Sequence, residues 1–426
     1  MDLGSYMEKI VSKYKEVKYV GKISREYEVT KLSYSNRETV IEFNINDSEV
    51  TCVSNILTNR RDLYVMLNAS NDRDAYLKIE QAIDKPAELE FVDFNKYFLK
   101  TDWTLKQLPF IKYFREDGGY YLTSSIVVAC IDEICNASIH RIMYVDEEHG
   151  AIRIVPRDLY RIYNMYRERG KDTPIAILLG LNPVAELAAA TSTSFGLFEL
   201  KIAAKLLNNN LFVKTPKYGI PVPLQTPIVV EGVISKDNLV DEGPFTDILG
   251  LLDTVRKQPV LKIENIYLSK ISKLYYHAIV PSLWDHIYLM SFPREALIYV
   301  YLTKQYPNVT GVRLTTGSSC WLHAVVSVKQ IKPGDARAIG LTVLNIHPSV
   351  KHVIVVDDDI DIDNIEMIEW AIATRVKASE DIIVLKDLPG STLDPRSVNG
   401  IGDKVIIDAT KPFNEDWSKY RRVQIP

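Results

Sequence analysis

The sequence is poor in cysteine and has no long apolar segment. Its 426 residues include four cysteines, Cys52, Cys130, Cys135 and Cys320. No two of them have the C-x-x-C spacing of a zinc site, so we expect reduced and partly buried thiols. The longest apolar runs, such as residues 175–181, are shorter than the ~18 residues of a membrane-spanning helix. These absences argue against a cysteine-rich zinc module and against a membrane-inserted protein.

A strong charge of either sign is also missing. The 51 Lys and Arg residues nearly balance the 55 Asp and Glu residues, which leaves a net charge of −4. No global field therefore favours nucleic acid or an anionic membrane. The first 15 residues lack the apolar core of a signal peptide, so we expect a cytoplasmic protein. The chain shows no internal repeat and no low-complexity segment.

What is present is the composition of a soluble globular protein, with 46% hydrophobic and 25% charged residues. The length suggests two or three domains of about 100–200 residues each. The pattern predicts a small N-terminal α/β module, with strands over residues 63–68 and 88–92 and a helix over residues 74–83. A helix over residues 292–304 is predicted to link domains. In the last third, strands alternate with helices, which favours a mainly parallel sheet covered on both faces.

Residues 136–141 (NASIHR) form a polar stretch directly after the apolar run of residues 126–134. An Asn, a Ser and an Arg are poor core residues, and they would suit a bound anion, metal or cofactor. The pattern is equally that of a hairpin rim with a solvated Arg141. The sequence of this stretch alone leaves both interpretations open.

Further polar groups stand at the starts of predicted elements. Thr123 and Ser124 follow a turn, Asp158 opens a helix after Pro156, and Glu199 opens another after four hydroxyl residues at 191–194. Each could bind phosphate or metal, and each has a structural alternative in turn closure or favourable interaction with a helix dipole. A Gly-Pro loop at residues 241–247 carries acids at both ends. These acids could be a proton donor and its charge partner, or they could be solvated loop acids.

Seven segments in the same order resemble the UbiD family of decarboxylases, which use prenylated FMN. They extend over roughly residues 100–412: 105–109 (LKQLP), 117–123 (DGGYYLT), 136–141 (NASIHR), 242–247 (EGPFTD), 351–361 (KHVIVVDDDID), 370–375 (WAIATR) and 407–410 (IDAT). A single short motif has a high rate of false matches, whereas an ordered set of this kind is specific.

The resemblance implies a mixed α/β (α+β) architecture in three parts. An N-terminal α/β module (residues 1–104) precedes a split β-barrel flavin-binding domain (105–290). A helical linker (291–304) leads to a C-terminal α/β domain with a tail (305–426). Members of the family assemble as dimers or hexamers, so a homodimer or homohexamer is expected. The resemblance also implies that a flavin prenyltransferase supplies the cofactor.

The family's site residues transfer to this chain by position. The catalytic trio becomes Arg141, which would grip the substrate carboxylate, Glu242, which would orient Arg141, and Asp247, which would deliver the proton. Asn136, Asp158 and Glu199 would hold Mn²⁺ or Mg²⁺, with K⁺ close by, although Asp158 stands where the family has a His. The cofactor would be lined by Thr123, Ser124, Asn136, Ser138, Ile139, His140, Arg141, Arg157, Asp158, Thr193, Ser194, Glu199 and Lys351.

The implied reaction is a non-oxidative decarboxylation in which the flavin takes up negative charge as CO₂ leaves. Aromatic acids such as 4-hydroxybenzoates and the phosphorylated enoic acid trans-anhydromevalonate phosphate are both candidate substrates. Two other hypotheses remain. Thr246, in place of a family Gly, and Asp158 would suit a degenerate homologue that only binds or assembles. The D-x-D pattern at residues 357–359 would suit a nucleotide-sugar transferase.

Overall fold

A computed structural model describes residues 2–423. The chain divides into two compact units, one ending at Pro293 and the other beginning at Arg294. The first unit opens with short helices and strands: α1 (Leu3–Lys9), β1 (Val17–Ile23), α2 (Glu28–Ser35), β2 (Val40–Ile45), β3 (Thr51–Ser54), α3 (Arg60–Leu67), α4 (Asp72–Asp84), β4 (Glu90–Val92), α5 (Phe94–Tyr97) and β5 (Phe98–Thr101).

The N-terminal region is an α/β layer, but the predicted strand over residues 63–68 is wrong. That segment lies in α3, whose N-cap Asn59 accepts a hydrogen bond from the Asp62 backbone and whose C-cap Asn68 is left-handed. Leu63, Met66 and Leu67 are buried on one face at helical spacing. The two asparagine caps therefore outweigh the apparent strand pattern.

The centre of the first unit contains most of the remaining elements: β6 (Tyr121–Ile131), β7 (Ile134–Tyr144), β8 (His149–Ile152), α6 (Asp158–Glu168), β9 (Thr173–Leu179), α7 (Pro183–Ala190), α8 (Glu199–Leu207), β10 (Leu211–Lys214), β11 (Pro221–Pro223), β12 (Ile228–Glu242), β13 (Phe245–Thr246), β14 (Leu252–Asp253), β15 (Arg256–Ser269) and β16 (Tyr275–His277). Helix α9 (Trp284–Gln305) follows, and the boundary between the two units falls within it.

Six strands of this unit form a closed antiparallel barrel. Their order is β12-β9-β6-β7-β8-β15, and a long pairing of β12 with β15 closes the ring. The second half of strand β6, residues 126–131, is apolar because both of its faces are covered. Val127 and Ala129 pack in one buried cluster, whereas Ile126 and Val128 pack in a second cluster that includes residues of α7 and α8. The barrel agrees with the predicted fold class, and the domain boundary at residues 104/105 stays a prediction.

The hairpin of β6 and β7 corrects two expectations from the sequence. Residues 136–141 are part of strand β7, not a hairpin rim. Cys130 and Cys135 are directly paired across the two strands and form a disulfide, so the expectation of reduced thiols was wrong for this pair. The spacing argument considered only metal sites, whereas the strand register places the two Cα atoms 4.1 Å apart. Cys52 and Cys320 are buried and lie outside this disulfide.

The second unit is a five-stranded sheet with helices: β17 (Val309–Leu314), β18 (His323–Val328), α10 (Asp335–Ile346), β19 (His352–Asp357), α11 (Ile365–Arg375), α12 (Ala378–Asp381), β20 (Ile382–Pro389) and β21 (Ile401–Ala409). The strand order is β17-β18-β19-β21-β20. The three central strands are parallel, whereas both edge strands are antiparallel to their neighbours. The prediction of a mainly parallel sheet is therefore correct only for its centre.

Candidate active site

Arg141 stands at the centre of a cluster of acids in the first unit. Its Nε and Nη2 atoms donate to the two carboxylate oxygens of Glu242 at 2.8 and 2.9 Å. Its Nη1 donates to Asp247 at 3.2 Å, and its Nη2 also donates to Asp253 at 3.1 Å. The guanidinium carbon lies 4.3 Å from the centre of the Phe245 ring. The structure thus brings together the predicted trio and adds a third acid.

Asp253 was missed by the sequence reasoning. It lies on β14, which pairs with β13 and so returns the chain to the loop that carries Asp247. Burial alone would raise its pKa, but Arg256 and Arg141 hold that pKa below its usual value. Arg256 donates to the Oδ1 atom of Asp253 at 2.8 Å. The Nε atom of Arg153 lies 3.8 Å from Oδ2, the oxygen that Arg141 also contacts. Only the β13–β14 pairing reveals this acid, because no motif marks it.

The loop from Glu242 to Asp247 is hydrogen-bonded to the turn at residues 117 and 118. Asp117 is buried and accepts from the backbone and hydroxyl of Thr246 at 2.8 and 3.0 Å. The Gly118 backbone donates to the Pro244 carbonyl at 2.7 Å. A Cβ atom at Gly118 would lie 2.0 Å from the Gly243 carbonyl oxygen, so only glycine permits this approach. Thr246, the departure from the family pattern, is therefore bound to the supporting turn.

Asn136 lies at the other end of the same stretch of β7, in contact with helix α8. Its side-chain nitrogen donates to Glu199 at 2.8 Å, and the Ala137 backbone donates to the second Glu199 oxygen at 2.7 Å. Ser138 contacts Asn136 at 2.9 Å and His140 at 2.8 Å. Asn136, Ser138 and His140 form one buried or half-buried hydrogen-bonded row along β7, and Glu199 of α8 joins it at the Asn136 end.

The surroundings of Glu199 disfavour the negative charge of its carboxylate and raise its pKa. Burial, with a smaller contribution from the negative charge of Asp158, raises its pKa to about 7, whereas the Ala137 and Asn136 hydrogen bonds oppose the shift. Asp158 is the first residue of α6 and Glu199 is the first of α8, so both acids stand at helix N-termini. Two neighbouring carboxylates that repel each other would be stabilised by a cation between them.

The chemistry of these donors fits a hard divalent cation. An amide oxygen and two carboxylates are ligands that Mn²⁺ and Mg²⁺ accept. Among residues 2–423, no group of three His, Cys, Asp or Glu side chains could hold a metal. The metal role of Asn136 stays a prediction. The role of Asp158 as the replacement for a His stays a prediction.

The predicted cofactor residues with hydroxyl groups differ in whether the protein itself supplies a hydrogen-bond partner. Ser124 is buried; its hydroxyl donates to the His277 carbonyl at 2.6 Å, and its backbone donates to the Tyr276 hydroxyl. The Thr123 hydroxyl contacts Tyr113 at 2.9 Å. In contrast, the hydroxyl oxygen of Thr193 is buried and has no hydrogen-bond partner within residues 2–423, which is uncommon for a buried polar atom.

The other predicted cofactor residues have less distinct surroundings. Arg157 is the N-cap of α6, and burial lowers its pKa while Asp158 opposes that shift. Ser194 is exposed, and Ile139 packs against the apolar cluster around α7 and α8. Lys351 lies in the second unit, where it pairs with Asp394 at 2.9 Å. Their contacts to a cofactor stay predictions.

The acids of the D-x-D pattern in the second unit are already paired with basic side chains of the protein. Arg375 donates to Asp357 at 2.9 Å and to Asp359 at 3.0 and 3.1 Å, and Lys411 also pairs with Asp359. The backbone N–H of Lys411 and the side-chain amide of Gln330 also donate hydrogen bonds to Asp357. These acids therefore stabilise the sheet edge, and the pattern gives no support to a nucleotide-sugar transferase.

The barrel and its arginine-centred acid cluster define a carboxy-lyase of the UbiD type. Residues 89–283 match the family described as 3-octaprenyl-4-hydroxybenzoate carboxy-lyase Rift-related domain, and residues 287–409 match its C-terminal domain. The chain belongs to this family. It is 39% identical over 407 residues to the anhydromevalonate phosphate decarboxylase of Aeropyrum pernix. This match covers 95% of this chain and 92% of the relative.

Two solved structures share the whole fold. The UbiD-class enzyme HmfF from Pelotomaculum thermopropionicum, in complex with FMN, is 28% identical with a TM-score of 0.94, and the match covers 100% of this chain and 98% of that one. An evolved dimeric form of the same enzyme, in complex with prFMN, is 27% identical with a TM-score of 0.90, covering 100% and 97%. No helix within residues 2–423 is long and apolar enough to cross a membrane.

Proposed function

We propose that the protein decarboxylates a phosphorylated enoic acid, trans-anhydromevalonate phosphate, with prenylated FMN as its cofactor. The observation that carries the proposal is the cluster at Arg141, where Arg153 and Arg256 share Asp253 with it. One arginine suffices for a carboxylate. Two further guanidinium groups at the same acid suit the phosphate of a dianionic substrate. The full-length similarity to anhydromevalonate phosphate decarboxylase supports the same substrate class.

The residues of the cluster have distinct tasks in this proposal. Arg141 binds the substrate carboxylate through its planar fork, and Glu242, which is fully buried, holds that fork in plane. Asp247 is the most exposed of the three acids and has the longest hydrogen bond to Arg141, so it is the one that delivers the proton that replaces CO₂. Bound prenylated FMN supplies the electron sink for the charge that CO₂ leaves behind.

The cofactor phosphate is held at the Asn136 end of β7. Asn136, Asp158 and Glu199 would bind Mn²⁺ or Mg²⁺, with K⁺ nearby, and the buried hydroxyl of Thr193 would donate to the cofactor. A flavin prenyltransferase supplies the cofactor, and the chain assembles as a homodimer or homohexamer. The similarity to a dimeric enzyme in complex with prFMN supports the cofactor and the assembly.

The test is product detection by mass spectrometry after co-expression with a flavin prenyltransferase. Loss of CO₂ from trans-anhydromevalonate phosphate is expected, with little conversion of 4-hydroxybenzoate or a cinnamate. Arg256→Gln should raise KM for the phosphorylated acid much more than it changes kcat. Turnover of the aromatic acids alone would refute the substrate, and a protein that turns over neither class would support a degenerate homologue.

A further inference from the structure

His140 is a buried histidine that the proposed function does not explain. It is 7% exposed and lies on β7 between the predicted metal ligand Asn136 and the arginine cluster. Its Nδ1 atom is 2.8 Å from the Arg153 carbonyl oxygen, and its Nε2 atom is 2.8 Å from the Ser138 hydroxyl. Both ring nitrogens therefore have a defined partner.

The partners determine where the hydrogen atoms lie. A carbonyl oxygen can only accept, so the Nδ1 atom of His140 must carry a hydrogen. Burial lowers the pKa of His140 to about 4, so the ring is neutral near pH 7 and Nε2 has no hydrogen. Nε2 is then an acceptor, and the Ser138 hydroxyl is the donor beside it. Ser138 thus has two acceptors for its single hydrogen, the Nε2 atom of His140 at 2.8 Å and the side-chain oxygen of Asn136 at 2.9 Å.

His140 and Asn136 compete for this hydrogen, because the side-chain oxygen of Asn136 is also placed to accept from the Ser138 hydroxyl. Donation to His140 leaves the Asn136 oxygen without that hydrogen. The Asn136 nitrogen is oriented towards Glu199, which fixes the amide with its oxygen facing Ser138. Because Asn136 is 5% exposed, solvent has little access to satisfy this oxygen. A buried oxygen with free lone pairs is suited to a cation.

We propose that His140 is a positioning residue for the cation site: it takes the Ser138 hydrogen and so keeps the Asn136 oxygen available to a divalent cation. Without His140, the Ser138 hydroxyl would donate to Asn136 and compete with the metal. The inference rests on the proposed metal role of Asn136 and assigns a separate residue to it.

The experiment measures Mn²⁺ dissociation constants by electron paramagnetic resonance on FMN-loaded protein freed of metal. His140→Leu replaces the imidazole by an apolar side chain of moderate size and so removes the Nε2 acceptor. It should weaken Mn²⁺ binding about tenfold, as for other residues that orient metal ligands. Ser138→Ala removes the competing hydrogen and should leave affinity near that of the wild type.

The double variant Ser138→Ala/His140→Leu separates positioning from packing. With no hydroxyl left to compete, Mn²⁺ affinity should recover to within about threefold of the wild type, which is a strongly non-additive result. A purely structural role for His140 predicts that the double variant stays as weak as His140→Leu. His149→Leu, on neighbouring strand β8 and paired with Asp146, is the matched control and should not change affinity.

The outcomes also separate this inference from the proposed function. Unchanged affinity in His140→Leu, or no recovery in the double variant, overturns the role of His140 while Asn136-dependent Mn²⁺ binding stands. Wild-type protein whose Mn²⁺ binding is unaffected by Asn136→Ala overturns the proposed metal site and the inference together.

Discussion

Asp247 and Glu242 bind the same guanidinium but differ in their surroundings. The Glu242 side chain is fully buried and makes two hydrogen bonds to Arg141, whereas the Asp247 side chain is 22% exposed and makes one. A buried, doubly bonded carboxylate is suited to orient its partner. A partly exposed acid with one longer hydrogen bond can move and exchange a proton more readily. These surroundings support the proposed division of roles.

Asp247→Asn should lower kcat by about 100-fold to 10,000-fold, because the amide cannot donate the proton that a general acid supplies. KM should change much less, since Arg141 and Glu242 remain in place. Steady-state decarboxylation under saturating substrate measures both constants, with circular dichroism to check the fold. A kcat within a factor of a few of the wild type would remove Asp247 from the reaction.

At the residue scale, the sequence predicted Arg141, Glu242 and Asp247 because each belongs to a motif. It did not predict Asp253, Arg153 or Arg256, because their proximity depends on the β13–β14 and β12–β15 pairings. The disulfide of Cys130 and Cys135 was missed for the same reason, since strand register and not spacing brings the two cysteines together.

Two adjacent glycines in the turn before β6 differ in what surrounds them. A Cβ atom at Gly118 would meet the Gly243 carbonyl oxygen at 2.0 Å, which is rigid backbone of the Glu242–Asp247 loop. A Cβ atom at Gly119 would meet the flexible side chain of Met143 at 3.0 Å. One substitution must therefore displace the acid-bearing loop, while the other needs only a small side-chain shift.

Gly118→Ala should reduce kcat/KM by at least about 100-fold, since displacing catalytic groups by about 1 Å has an effect of that size. Gly119→Ala is the matched control and should retain most of the activity. Decarboxylation rates of both variants, with thermal unfolding to verify folding, provide the measurement. Equal activity of the two alanine variants would show that the turn does not position the loop.

The β6–β7 hairpin carries the stretch from Asn136 to Arg141, and a disulfide closes its end. Reduction, or Cys130→Ser/Cys135→Ser, should destabilise the first unit by about 2 kcal/mol, the chain-entropy estimate for so short a loop. Urea unfolding with and without a thiol reductant measures the change. The double variant should no longer respond to the reductant, and a wild-type protein indifferent to reduction would contradict the stabilising role.

Several elements of the first unit meet at one buried histidine. His277 of β16 lies 2.7 Å from Glu186 of α7 and 3.4 Å from Asp285 of α9. Asp285 in turn accepts from the backbones of Asn55 and Leu57 at 2.6 Å. Burial alone would lower the pKa of His277, but Glu186 and Asp285 together raise it to about 10. A charged histidine therefore joins the N-terminal layer, α7 and α9.

This contact makes the stability of the whole unit depend on pH. The His277 pKa is about 10 in the folded state and ~6.5 in an unfolded chain, so its stabilisation is complete below pH ~6.5 and disappears as pH rises through about 10. His277→Gln should be about 3–5 kcal/mol less stable than the wild type at pH 6, and the difference should shrink towards pH 10. Urea unfolding across this range is the measurement. A difference independent of pH would mean that His277 is neutral in the fold.

At the scale of the molecule, periodicity predicted most helices and strands but not how they are connected. Residues 126–131 of β6 are apolar on both faces, so their sequence does not reveal which neighbours cover them. The closure of the barrel by β12 and β15 joins segments that are not consecutive in the chain, and only the family resemblance anticipated it. Edge strands β17 and β20 likewise carry no sequence signal for antiparallel pairing.

The three acids around Arg141 also bear on how a catalytic cycle ends. Four of the five N–H donors of Arg141 bind acids, so an incoming carboxylate that takes two donors has to displace an acid, and Asp247 has the longest hydrogen bond of the three. The product no longer has a carboxylate and cannot keep that place. Return of Asp247 to Arg141 then competes with the product for the site. Small carboxylate anions that occupy the same place should in turn behave as competitive inhibitors of turnover.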